Sequence, residues 1–129
     1  MGFRPPAAYN EPVKGYAPGS PERASLQATL RRMQAETVEM PCVIGGREVL
    51  TGRTEPVVMP HRHSHVLGQV HLGGAAEAEA AIAAALEASA GWSATPWQDR
   101  AAVFLRMAEL LSGPYRDLLN GATMLGQSK

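Results

Sequence analysis

Aromatic residues are scarce in this chain. Phenylalanine, tryptophan and tyrosine together make up 5% of its 129 residues, and much of the 45% hydrophobic fraction is alanine. Alanine offers little area to bury, and burial contributes only about 25 cal/mol per Å2, so a thin core is expected. Cysteine is reduced to Cys42, which excludes an internal disulfide and fits a reducing compartment. A surplus of either charge is missing as well: 12 Lys and Arg face 12 Asp and Glu. Without a basic excess, neither nucleic acid nor an anionic membrane surface is an expected partner. A neutral chain with a thin core is instead prone to associate. Long hydrophobic runs are also lacking. Met1-Gly2-Phe3-Arg4-Pro5-Pro6 does not resemble a signal peptide. The apolar stretch at residues 75–90 is interrupted by Glu77, Glu79 and Glu87, so no bilayer span is expected. The composition fits a cytoplasmic chain of at most one domain.

What is present is strong local punctuation. Residues 1–19 are rich in proline and glycine, with Tyr9 and Tyr16 among them. They read as an extended arm that needs another surface to lie on. A helix is expected over residues 20–36, with Ser20 as N-cap, Pro21 at the first helical position and Glu22 at the positive end of the dipole. Leu26, Leu30 and Met33 form its apolar stripe, with Arg23, Gln27, Arg31 and Arg32 on the wet side. Pro41 stops that segment. Cys42-Val43-Ile44 and Arg47-Glu48-Val49-Leu50 flank Gly45-Gly46, the pattern of a tight hairpin. Val57-Val58-Met59 and residues 66–72 read as further short strands, joined by a loop that holds Pro60 and several histidines.

Three helices are expected after that. The first covers residues 75–90, with Ile82, Leu86 and Ala90 on one face, and ends at Gly91. The second opens at Thr95-Pro96-Trp97-Gln98, with Thr95 as its cap, and buries Ala101, Phe104, Leu105, Ala108 and Leu111. Ser112-Gly113-Pro114 breaks it. The third starts at Pro114 with Leu118, Ala122 and Leu125 as its stripe. Strands cluster and helices cluster, so the fold class is α+β with no βαβ unit inside the stretch. The division is an arm over residues 1–19 and an incomplete domain over residues 20–129.

Few side chains suggest chemistry. His61, His63 and His65 alternate, a spacing that puts side chains on one face of a strand and could hold a transition metal, with His71 as a fourth ligand. No carboxylate or cysteine is interleaved, and exposed loop histidines are the plainer reading. Cys42 sits between Pro41 and Val43, with no base beside it in sequence, and reads as structural rather than nucleophilic. Gly45-Gly46, Gly73-Gly74 and Gly126-Gln127-Ser128-Lys129 match neither the dinucleotide nor the P-loop pattern. Trp92 and Trp97 flank a short connection and read as pins between two helices.

Several stretches, taken together, resemble the N-terminal region of the Δ1-pyrroline-5-carboxylate dehydrogenases, also called L-glutamate γ-semialdehyde dehydrogenases, a branch of the aldehyde dehydrogenase superfamily. They are Asn10-Glu11-Pro12-Val13 with Gly19-Ser20-Pro21-Glu22-Arg23; Pro41-Cys42-Val43-Ile44-Gly45-Gly46; Pro60-His61-Arg62-His63 running on to Val66-Leu67-Gly68; Trp97-Gln98-Asp99-Arg100-Ala101-Ala102-Val103-Phe104-Leu105 with Leu110-Leu111-Ser112-Gly113-Pro114; and Ala122-Thr123-Met124-Leu125-Gly126-Gln127-Ser128-Lys129. The resemblance implies the start of an α/β dehydrogenase fold and an NAD-dependent oxidation of L-glutamate γ-semialdehyde to L-glutamate in proline breakdown. It implies NAD as cofactor of the full-length enzymes. It also implies partners in the remainder of the enzyme or in subunits of a homo-oligomer.

The last ten residues read as the inside of a helix, so the segment is expected to begin a longer polypeptide. Cys42 does not correspond to the family's nucleophile, nor Lys129 to its ribose-binding lysine. No catalytic, cofactor-binding or metal-binding residue is therefore assigned, and the chain alone is expected to bind no NAD and to be inactive. The alternative is a non-catalytic interaction module that pairs with a dehydrogenase subunit.

Overall fold

The structure is a computed structural model that describes residue 7 and residues 9–129. The other positions of the expected arm, residues 1–6 and residue 8, lie outside the described residues.

Helix α1 spans Pro21–Ala35. Ser20 caps it, its side chain accepting from the Arg23 N–H at 3.4 Å. The chain then forms β1 (Val38–Met40), β2 (Cys42–Ile44), β3 (Arg47–Val49), β4 (Thr54–Met59) and β5 (Arg62–His71). Helices α2 (Ala75–Ala94), α3 (Trp97–Ser112) and α4 (Arg116–Gln127) follow. The α+β order agrees with the sequence reading.

The hairpin at Gly45-Gly46 forms as expected. Ile44 pairs with Arg47, and both glycines hold positive φ, 57° and 75°. A two-residue turn with that backbone matches the twist of the strands beside it. The second hairpin departs from expectation. Pro60 and His61 form a tight turn rather than the tip of a loop, and β5 starts at Arg62, so His63 and His65 lie in a strand. Strand β4 begins at Thr54 and includes Pro56. It is an edge strand in the order β1-β5-β4, where proline's missing N–H can face away from the ladder.

Strand β1 was not foreseen. It pairs parallel to β5, Val38 opposite Gly68 and Met40 opposite Val70. Gly68 is what allows this: a Cβ there would come within 2.3 Å of the Val38 carbonyl oxygen. No local pattern in three residues announces a pairing made with a strand so much further along the chain.

The helix boundaries also shift. Helix α2 runs through Gly91 to Ala94, because one glycine costs a helix only about 1 kcal/mol. The stop comes from Pro96, which disfavours helical backbone at the residue before it. Thr95 is accordingly extended, at φ −64° and ψ 130°. Its hydroxyl donates back to the Gly91 carbonyl at 2.9 Å, so Thr95 closes α2 instead of capping α3. The Pro96 carbonyl takes the cap role, accepting from the Arg100 N–H at 3.1 Å. Helix α4 starts at Arg116, two residues later than expected, after a turn at residues 113–115.

Helix α4 packs between α1 and the sheet. At its crossing with α1 it carries Gly121, where a Cβ would lie 2.9 Å from the Met33 sulfur. Ser25 donates to Asp117 across the same pair at 2.5 Å. The core is thin, as the composition implied: among the described residues, only Met59 and Leu125 are buried hydrophobics. Leu125 therefore has cover that the stripe alone did not promise. Helices α2 and α3 are the reverse. Neither holds a buried residue. The face expected to bury Phe104, Leu105 and Leu111 stands at the surface, because no described element lies across it.

Candidate functional site

The four histidines do not converge. His61, in the turn, sits with its Nδ1 2.7 Å from the Ser128 hydroxyl. His65 is half-buried, and its Nε2 has no hydrogen-bond partner among the described residues. His71 lies at the far end of β5 with a side chain 4% exposed. Among the described residues no group of three or more His, Cys, Asp or Glu is placed to hold a metal ion.

His71 instead organises a polar node around its buried ring. Its Nδ1 accepts from the Gly52 N–H at 3.2 Å. That nitrogen therefore carries no proton, and the proton on Nε2 points to the Glu39 carboxylate 2.8 Å away. The ring thus ties together β1, β5 and the loop between β3 and β4. The Cys42 thiol donates to the His71 carbonyl at 3.4 Å, which gives Cys42 a structural place. Arg53 adds a bond to the Leu72 carbonyl at 3.1 Å, and Glu77 accepts from the Gly74 N–H at 2.7 Å. Gly73-Gly74 therefore serves the entry to α2. Nothing in the spacing around His71 or Glu39 announces the node, because its three parts come from distant segments.

Removing the imidazole would release the Gly52 N–H and the Glu39 carboxylate, both on exposed residues, to water, a loss of two hydrogen bonds at about 0.5–1.5 kcal/mol net each. His71→Leu is accordingly expected to speed amide exchange at Gly52 and in β1. Unchanged exchange at both places would show that the ring carries no such role.

An apolar concavity of about 270 Å3 lies under α1 and α4. Val38, Met40, Val57, Leu67, Leu118 and Leu125 give it apolar walls. Arg32 and Glu36 stand at its rim, where they pair with each other at 3.8 Å. A space of that size and lining cannot cradle a dinucleotide pyrophosphate, which needs clustered donors.

The extended apolar surface lies elsewhere. Ile82 and Leu86 on α2, and Val103, Phe104 and Met107 on α3, are each more than half exposed. Trp92 and Trp97 sit at the α2–α3 joint as the sequence suggested, both partly exposed, and the Arg100 guanidinium lies 6.0 Å from the Trp92 ring centre. Large apolar side chains left exposed along two successive helices mark surfaces for contact with other protein. No helix among the described residues is long and apolar enough to cross a membrane.

Comparisons with known proteins agree on one relationship. The model of the aldehyde dehydrogenase family matches residues 49–129. The chain is 50% identical to the Δ1-pyrroline-5-carboxylate dehydrogenase of Agaricus bisporus, over 98% of this chain and 23% of that protein. It is 42% identical to the mitochondrial enzyme of the same name from Bos taurus, over 93% of this chain and 21% of that one. A crystal structure of the Δ-pyrroline-5-carboxylate dehydrogenase of Mycobacterium tuberculosis with NAD bound shares its fold, with a TM-score of 0.93 at 45% identity. That match covers 97% of this chain and 24% of that one. The chain thus spans about a quarter of the length of these relatives.

Proposed function

The chain belongs to the aldehyde dehydrogenase family, and from that premise we propose that it forms the N-terminal part of an NAD-dependent enzyme oxidising L-glutamate γ-semialdehyde, derived from Δ1-pyrroline-5-carboxylate, to L-glutamate in proline catabolism. The observation that carries this reading is the breadth of the similarity. Nearly every residue aligns with enzymes of that one name, and the fold agrees as closely as the sequence.

In the relatives' chemistry NAD takes the hydride released as the aldehyde becomes an acid. The residues present here do not fit a site for it. The cavity under α1 and α4 is apolar and its rim charges pair with each other; a wider, open hollow at the end of α4 offers a single lysine, Lys129, and no glycine-rich phosphate turn. The dinucleotide and the substrate are therefore assigned to the rest of the polypeptide, and these 129 residues are inactive alone.

What they supply is a frame. The sheet and the α1–α4 pair form the packed part, and the bare faces of α2 and α3 receive the remainder of the enzyme or neighbouring subunits. Those faces would equally serve a separate module that pairs with a dehydrogenase subunit. The compartment proposed from the sequence is the cytoplasm.

Intact-mass measurement of the native polypeptide, joined to an NADH-formation assay with the semialdehyde, tests the proposal. The expected result is a mass several times 13.7 kDa and activity confined to that longer form. A native product of 13.7 kDa would transfer the reading to the interaction module.

A further inference from the structure

Residues 9–19 contain no helix or strand, yet they follow a defined course over the helices. Arg116, at the start of α4, donates to the Pro12 carbonyl at 2.9 Å and lies 3.5 Å from the Glu11 carboxylate. One turn further along α4, Asn120 donates to the Tyr16 hydroxyl at 3.2 Å. Arg23 of α1 donates to the Tyr16 carbonyl at 3.3 Å. Tyr16 is bent into left-handed backbone, φ 48°, a conformation that a tyrosine adopts only where its surroundings hold it. The Ser20 N–H donates to the Ala17 carbonyl at 3.0 Å, fixing the turn into α1.

Apolar burial fastens little of this segment, where Tyr16 alone is half-buried. Val13 is 97% exposed and Tyr9 86%. The attachment is made by polar groups, and the Arg116 side chain, only 12% exposed, is the buried end of it.

We propose that residues 9–19 are a releasable strap across α1 and α4, with Arg116 as its latch and the turn at residues 17–20 as its hinge. One guanidinium holds both Glu11 and Pro12, so losing it undoes two attachments together and leaves Tyr16 to unwind from its bent backbone. A polar latch differs from a packed one in its response to salt. Screening weakens the Arg116–Glu11 attraction while it leaves apolar packing intact or stronger.

Trypsin cleavage after Lys14 reads the strap directly, because the protease needs the segment to leave its support. With fast opening and closing, the cleavage rate follows the open population. Arg116→Ala in the full 129-residue chain is expected to raise the rate after Lys14 by about tenfold, the scale of one lost hydrogen bond from a charged donor with a partly exposed ion pair beside it. Raising the salt should accelerate the wild-type chain and leave the variant unchanged. Glu11→Gln combined with Tyr16→Phe alters the strap alone, sparing every residue of α1 and α4, and should accelerate the same cut several-fold with cleavage inside α3 and α4 unaltered. The proposal is overturned if Lys14 is cut as fast in the wild-type chain as in Arg116→Ala, or if the strap-only variant leaves the rate unchanged. Neither result bears on the dehydrogenase assignment.

Discussion

Replacing Gly68 by alanine is expected to detach β1 from the sheet. The new methyl would meet the Val38 carbonyl oxygen at 2.3 Å, the Met40 terminal methyl at 2.7 Å and the Val38 carbonyl carbon at 3.2 Å. The methionine could swing aside; the carbonyl belongs to the parallel ladder itself and cannot. Two further structures depend on β1. Glu39 carries the carboxylate that receives His71, and Val38 with Met40 walls the cavity beneath α1 and α4. Overpacking of this kind costs about 1–3 kcal/mol on its own, and the loss of the Glu39 contact adds to it. Amide exchange mapped by mass spectrometry should show β1 and the β5 segment opposite it losing protection, while the β2–β3 hairpin keeps its own. Full protection of residues 38–40 in the variant would refute the close-approach argument.

Phe104→Ser should have opposite fates in two settings. In the 129-residue chain Phe104 is 64% exposed, and a surface substitution of this type changes stability by less than about 0.5 kcal/mol. Removing the ring from an uncovered face should also lower self-association and binding of a hydrophobic dye. In an enzyme several times longer, where α3 is covered, the same change removes a packed aromatic and costs about 3–5 kcal/mol. The measurements are dye fluorescence and sedimentation for the short chain, and thermal inactivation for the long one. Equal effects in both settings would mean that α3 presents this face to solvent throughout, and the contact surface assigned to it would have to be given up.

The parts of the fold that could be read from the sequence are those specified by neighbouring residues. Ser20-Pro21-Glu22 opens a helix within one turn of chain, and Gly45-Gly46 sets a hairpin through its own backbone. The Leu26/Leu30/Met33 stripe states which way α1 faces. The misreadings arose where a distant segment or a competing local rule decided. Gly91 reads as a stop, but Pro96 acts on Thr95 and ends the helix later. Pro60 reads as loop, yet it fits the corner of a two-residue turn. Strand β1 has three residues and no alternation of its own; Gly68, far along the chain, makes room for it. The His71 node was hidden for the same reason, since Glu39, Gly52 and His71 belong to three segments that only the folded sheet brings together. The apolar faces of α2 and α3 were legible as faces. Their exposure was not, because a stripe tells which side seeks cover and says nothing of whether cover is within the same 129 residues.

The pairing of α1 with α4 joins the two ends of the described chain, and it sets a schedule for synthesis. The β2–β3 hairpin and the β1-β5-β4 sheet have all their strands by His71, so both can form while the later helices are still being made. Helix α1 must wait. Its stripe at Leu30 and Met33 meets the Gly121 crossing, which is translated about ninety residues later, a delay of roughly 5–20 s at ordinary elongation rates. For that interval a finished helix trails an uncovered stripe outside the ribosome. A factor that shields nascent apolar surface would meet α1 first, well before α2 and α3.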